Sequence, residues 1–175
     1  IIFSAASGKG KTTLFRTLLG FQTPDKGKIL LNGTELNAGS VKDFRSNMAY
    51  LSQDIDLPRI KFTEILDELY CYELNKHLIR DNSEINLLLD KFQLGEEYLH
   101  KKIAELSGGE RQRIGLILCI LLHRPVWLLD EPTSALDDDM KKQISEYILT
   151  RKETILIISH DKQWFESDKL RVERW

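Results

Sequence analysis

Three stretches of this chain carry side chains whose types and spacing could do chemistry on a phosphate. Residues 5–13 read Ala-Ala-Ser-Gly-Lys-Gly-Lys-Thr-Thr. The backbone amides of Ser7, Gly8, Lys9 and Gly10 can cradle phosphate oxygens, Lys11 can reach the β and γ phosphates, and the Thr12 hydroxyl can ligate magnesium, with Thr13 extending the binding set. Residues 106–113 read Leu-Ser-Gly-Gly-Glu-Arg-Gln-Arg. Ser107 and Glu110 have the spacing of a capping box, so a helix starts there. Gly108 and Gly109 carry no side chain, which lets an anion approach the first amides and the positive end of the helix dipole. The third stretch is Asp130-Glu131, two carboxylates at the end of an apolar run. In α/β sheets ligands sit outside the carboxyl ends of strands, where a metal and an attacking water would be needed.

These residues need elements to position them. Residues 1–4 form an apolar strand feeding the first loop, and the helix behind it turns Leu14, Phe15, Leu18 and Leu19 to the core and closes at Gly20. Residues 28–31 and 34–36 flank Asn32-Gly33 as a hairpin. A strand over 48–52 ends at Gln53. Between Gln53 and Leu106 the pattern is helical: Ile65, Leu66 and Leu69 mark one helix, and Asp81 with Glu84 makes a capping box for another that carries Ile85, Leu88, Leu89 and Phe92, with Gly95 beyond its end. The helix from Ser107 presents Ile114, Leu118, Leu121 and Leu122 and is stopped by Pro125, near His123. Residues 126–129 are continuously apolar, as a parallel strand buried on both faces requires. Residues 140–149 read as a helix, 154–159 as a second buried strand ending in His160-Asp161, and 170–175 as a final edge strand.

Composition narrows the class. A chain of 175 residues is one domain with room for a sizeable core. Its 25 basic and 27 acidic residues leave a net charge of -2, which gives no sign of a nucleic-acid-binding surface. Cys71 and Cys119 sit in apolar helical patterns without metal-ligand spacing and are expected to be reduced core residues. His77 and His100 are expected at the surface, and Trp164 and Trp175 suggest no chemical role. The longest apolar run, 114–122, is far shorter than the ~20 residues of a spanning helix, and no leader or lipidation motif is visible, so a soluble cytosolic domain is expected.

The Ser-Gly-Gly-Glu helix, the apolar strand with Asp-Glu, the Ser-Ala-Leu-Asp that follows and the phosphate loop upstream together resemble the nucleotide-binding domain of ABC ATPases. That resemblance covers nearly the whole chain. It implies a P-loop NTPase fold, α/β, with a mostly parallel sheet flanked by helices: residues 1–53 and 107–175 would form the catalytic core and 54–106 an inserted α-helical subdomain. ATP and Mg2+ would be the ligands, with Thr12, Gln53 and Asp130 on the metal. Lys11 would hold phosphate, Glu131 would be the general base, and His160 would contact the γ phosphate. Ser107, Gly108 and Gly109 of one subunit would meet ATP held by a second copy. The partner would be a transmembrane permease, placing the chain in the cytoplasm on the inner face of the membrane. The short hairpin and compact helical region look like small bacterial transporter ATPases, including iron-export types.

Two departures from the family pattern stand out. Ala5 replaces the loop's first glycine, at a cost of roughly 1 kcal/mol if that position needs a positive φ. The chain starts inside the strand before the loop, so it is expected to lack the N-terminal antiparallel part and its adenine-stacking aromatic. Two other readings stay open: a soluble ABC ATPase serving iron-sulfur assembly, and an ATP-binding regulatory module without turnover. A chromosome-maintenance ATPase needs a long coiled coil between the two phosphate-contacting motifs, and the interval from Thr13 to Leu106 leaves no room for one.

Overall fold

In the computed structural model, which describes residues 1–4 and 10–174, fourteen helices and strands follow one another along the chain. They are β1 (Ile2–Ser4), α1 (Lys11–Leu18), β2 (Leu30–Leu31), β3 (Thr34–Glu35), α2 (Val41–Ser46), β4 (Met48–Leu51), α3 (Phe62–Cys71), α4 (Asn82–Lys91), α5 (Gly108–Leu121), β5 (Val126–Asp130), α6 (Asp138–Leu149), β6 (Thr154–Ile158), α7 (Lys162–Phe165) and β7 (Val172–Arg174). Short 3-10 turns join α3 to α4 and α4 to α5.

Five strands make one parallel sheet in the order β4-β5-β6-β1-β7. Parallel strands need crossovers, and the helices that supply them cover both faces. The alternation of side chains along each strand sorts the core accordingly. Val126 and Leu128 of β5 join Phe15, Leu19, Met48, Tyr50 and Ile158 beneath α1. Trp127 and Leu129 join Ala49, Leu51 and Ile157 in the larger core on the opposite face, with the apolar sides of α3, α4, α5 and α6. All five residues of β5 are buried, as the unbroken apolar run predicts.

Helix α5 is buried nearly all round, so it lies inside the larger core. It packs on β4 through Gly115, where a Cβ would stand 2.9 Å from a Leu51 methyl and 3.0 Å from Ile55. Its start is the predicted capping box: Ser107 Oγ accepts from the Glu110 amide and Glu110 Oε2 accepts from the Ser107 amide at 2.7 Å. Asn32 and Gly33 both take positive φ, 51° and 83°, and close the expected hairpin with strands of only two residues.

Two local expectations are corrected. Asp81 caps α4 through the Ser83 amide, and Glu84 closes no box because its carboxylate lies against His123 Nε2 at 3.2 Å. Cys71 is exposed whereas Cys119 is buried. The core face of α3 is set by Phe62, Ile65 and Leu66, and five residues beyond Leu66 the helix has turned about 140° away from it.

Trp164 is fully buried, its indole donating to Thr133 Oγ1 at 3.1 Å. The predicted edge strand is present as β7, beside β1. Trp175 and the substituted loop position Ala5 lie outside the described residues.

Candidate active site

The parallel sheet brings the carboxyl ends of four strands to one edge. After β1 come Gly10, Lys11, Thr12 and Thr13; after β4 comes Gln53; Asp130 and Glu131 stand at the end of β5 and His160 beyond β6. All of them line a single cleft of 390 Å³. Ser7, Gly8 and Lys9, the rest of the predicted phosphate loop, lie outside the described residues.

Strand parity decides what each carboxylate faces. Asp130 shares the face of Val126 and Leu128, toward α1, and there its Oδ2 accepts from Thr12 Oγ1 at 3.0 Å. Glu131 turns the other way, into a pocket closed by Ser159, whose Oγ donates to Glu131 Oε2 at 3.2 Å. His160 Nε2 stands 3.8 Å from the other carboxylate oxygen. Lys11 Nζ lies 3.1 Å from the same imidazole nitrogen. An ammonium can only donate, so Nε2 is the acceptor in that contact.

Burial sets the electrostatics. Asp130 is 1% exposed, and desolvation pushes its pKa upward against the opposing effects of the Thr12 hydrogen bond and the Lys11 charge. Desolvation also raises Glu131, opposed by the charge His160 carries when it is protonated rather than accepting from Lys11, and by hydrogen bonds from the His160 backbone and the Ser159 hydroxyl. A carboxyl held above its ordinary range while still within reach of a water is suited to take a proton. Thr12 and Asp130 set two oxygen ligands 3.0 Å apart, close to the about 2.9 Å edge of an octahedron with metal-oxygen bonds of 2.0–2.1 Å. One carboxylate with one hydroxyl is a hard, incomplete set that suits magnesium carried on phosphate. No group of three or more His, Cys, Asp or Glu side chains that could hold a metal by itself occurs among the described residues.

Residues 4–134 match the family described as ABC transporter. The chain belongs to that family. Among curated relatives of this ABC chain, the sulfate/thiosulfate import ATP-binding protein CysA of Mesostigma viride is 35% identical over 163 residues, 90% of the chain and 45% of that protein. The chain thus spans about half the length of that relative. "Probable iron export ATP-binding protein FetA" of Escherichia coli (strain K12) is 32% identical over 165 residues, 92% of the chain and 72% of that protein. A solved ATP-binding subunit of an ABC transporter superposes with a TM-score of 0.77 at 25% identity, over 91% of the chain and 67% of that structure. The post-hydrolysis dimer of an ATP-binding cassette bound to ADP and Pi shares the fold at a TM-score of 0.79 and 20% identity, over 93% of the chain and 75% of that structure.

The predicted group at the start of α5, Ser107, Gly108 and Gly109, is placed elsewhere in this ABC domain. Gly108 lines a neighbouring depression of 410 Å³ with Asp54, Arg111, Gln112, Ser134 and Ala135, and neither Ser107 nor Gly109 reaches the first cleft. Gln53 lines both.

Other residues hold the catalytic-side loop without having been singled out by motif. Thr133 Oγ1 donates to Asp161 Oδ2 at 2.7 Å and Lys141 Nζ pairs with Asp161 Oδ1 at 2.7 Å, so the segments after β5 and β6 are tied together below Glu131 and His160. Gln112 is buried and its carboxamide reaches the same loop. A polar residue inside an otherwise apolar helix, five positions after its cap, is the signal that could have marked it.

Proposed function

We propose that this chain is the ATP-hydrolysing subunit of an ABC transporter, coupling ATP-driven closure of two such domains to transport by a membrane partner. The observation that carries the proposal is the convergence of Lys11, Thr12, Asp130, Glu131, His160 and Gln53 on one cleft at the carboxyl ends of a parallel sheet. Lys11 would leave His160 for the β and γ phosphates, with the amides of residues 7–10 around them and Thr13 beside them. Thr12, Asp130 and Gln53 would hold Mg2+, which when bound neutralises phosphate charge. Glu131, buried and aimed by Ser159, would accept the proton of the attacking water, and His160 would stabilise charge developing on the γ phosphate.

The exposed terminus of α5 lies apart from the cleft that its own chain forms, which supports a role for Ser107, Gly108 and Gly109 toward ATP held by a second copy. In this reading residues 1–53 and 107–175 are the catalytic core, and 54–106 form a helical subdomain facing a transmembrane permease at the inner face of the membrane. Among the described residues no helix is long and apolar enough to cross a membrane.

Subunit mixing tests the arrangement. Lys11→Ala should weaken ATP binding at least tenfold, about 1.4 kcal/mol, by calorimetry. Ser107→Arg should leave ATP binding to the monomer intact while lowering turnover. A heterodimer of the two has one site with both lesions and one with neither, so phosphate release should reappear on mixing. Impaired ATP binding by the Ser107→Arg monomer would refute action across the interface, and unchanged affinity of Lys11→Ala would refute the phosphate site.

A further inference from the structure

Glu131 has a backbone that its side chain does not favour. Its φ is 49°, in the left-handed region, where a residue with a Cβ is disfavoured. Such a conformation persists only when the surroundings over-determine it. Here the Glu131 amide donates to the Ile158 carbonyl at 2.8 Å, which extends the β5-β6 ladder by one residue. The Glu131 carbonyl, released from the ladder by the turn, accepts from Gln112 Nε2 at 2.6 Å and from Ser134 Oγ at 3.2 Å. The other end of the Gln112 carboxamide accepts from the Ala135 amide at 2.9 Å.

One buried side chain therefore uses both its donor and its acceptor on a five-residue loop, at the loop's first and last positions. It does so from α5. Gly109, three residues earlier and on the same side of that helix, meets the loop as well, since a Cβ there would lie 2.8 Å from the Ala135 carbonyl oxygen. The first turns of α5 thus grip residues 131–135 at two points. The helix that opens at Ser107 is in direct contact with the backbone that aims Glu131.

We infer that Gln112 is a positioning residue for Glu131: its carboxamide holds the left-handed Glu131 backbone and couples the direction of that carboxylate to the α5 terminus. This rests on the reading of Glu131 as the general base. Gln112 lines no part of the Lys11 cleft, its place being in the neighbouring depression with Gly108 and Gln53, and it bonds none of the residues that would hold phosphate or metal, so its effect should fall on turnover and not on the affinity of the monomer for nucleotide. Replacing it by glutamate separates its two arms. The introduced carboxylate can still accept from the Ala135 amide, but it cannot donate to the Glu131 carbonyl.

The experiment measures kcat, KM and the Kd for ATP of wild type, Glu131→Gln, Gln112→Glu and the double variant, with thermal melts of each. Glu131→Gln should abolish most turnover; if it does not, the reading of the base fails and the Gln112 inference with it. With that loss in hand, Gln112→Glu should lower kcat at least tenfold while leaving the ATP Kd within about twofold. The double variant should be no slower than Glu131→Gln alone, because Gln112 acts through a group already removed. If the carboxylate prevents folding, the similarly sized Gln112→Met takes its place with the same expected pattern. An undiminished kcat, a matching loss of ATP affinity, or a further loss in the double variant overturns the inference while leaving the Glu131 assignment standing.

Discussion

The two glycines at the start of α5 should respond very differently to the same added methyl group. A Cβ on Gly108 would meet only the Ala135 Cβ, at the ordinary contact distance of 4.0 Å. On Gly109 it would sit 2.8 Å from the Ala135 carbonyl oxygen and 3.4 Å from a Leu136 methyl. The oxygen is backbone and cannot swing aside. Its segment is pinned by the Gln112 acceptor on the Ala135 amide, by the Leu136 amide on the Thr133 carbonyl at 3.2 Å, and by Asp137 capping α6 through the Met140 amide.

Both substitutions gain the same helix propensity, so their difference isolates the clash. Overpacking against a fixed neighbour costs about 1–3 kcal/mol. For a chain of 175 residues each kcal/mol moves the melting temperature by roughly 2–4 °C. Gly109→Ala should therefore melt about 4–8 °C below Gly108→Ala for a cost near 2 kcal/mol. Melting the nucleotide-free protein, followed by circular dichroism, keeps dimerisation and ligand out of the comparison. Equal melting temperatures for the two variants would refute the close approach of α5 to the loop.

Further predictions concern charge and thiols. Glu131→Gln should slow phosphate release roughly 100-fold or more while ATP still binds, and turnover at near the parent rate would move the base elsewhere. Burial raises the folded pKa of Asp130 and of Glu131 above their unfolded values, so the stability associated with each is full below the unfolded pKa and is lost as pH rises through the folded one. The same Glu131→Gln variant should accordingly melt higher than the parent at neutral pH without nucleotide, and the acid limb of parent turnover should lie above the ordinary carboxylate range; a variant that melts lower would contradict the desolvation argument. Cys71 is exposed, whereas burial pushes the Cys119 thiol up to about 12. A thiol reagent should thus label one cysteine per native chain, and two rapid equivalents would contradict the packing of α5.

Much of this architecture could be read from local pattern because local pattern is what builds it. The run 126–129 specifies a strand covered on both faces, and strand alternation then sends Asp130 toward α1 and Glu131 away from it. The Ser107 box is a contact between residues three apart, so four letters are enough to specify it.

Contacts that depend on how distant segments pack could not be read this way. Glu84 has the spacing to cap Asp81, yet folding brings His123 beside it from the far end of α5, and the cap is made with Ser83 instead. Trp164 looks idle in the sequence and becomes a buried partner of Thr133, from a different loop. Gln112 is equally silent until the turn at Glu131 frees a carbonyl for it. Apolar content alone puts Cys71 in the core, and its angle around α3 puts it at the surface.

The left-handed turn at Glu131 bears on how such a chain can change over generations. Glycine would relieve a conformational cost of about 1–2 kcal/mol there, and asparagine some of it, and either would remove a carboxylate that is awkward to bury. A population of variants sorted only for heat resistance should therefore drift away from glutamate at this position, and each step in that direction would discard the group proposed to take a proton from water. On the proposed role of Glu131 as the base, robustness and turnover pull on the same residue in opposite directions, and improving the scaffold safely would mean holding position 131 fixed and seeking stability elsewhere.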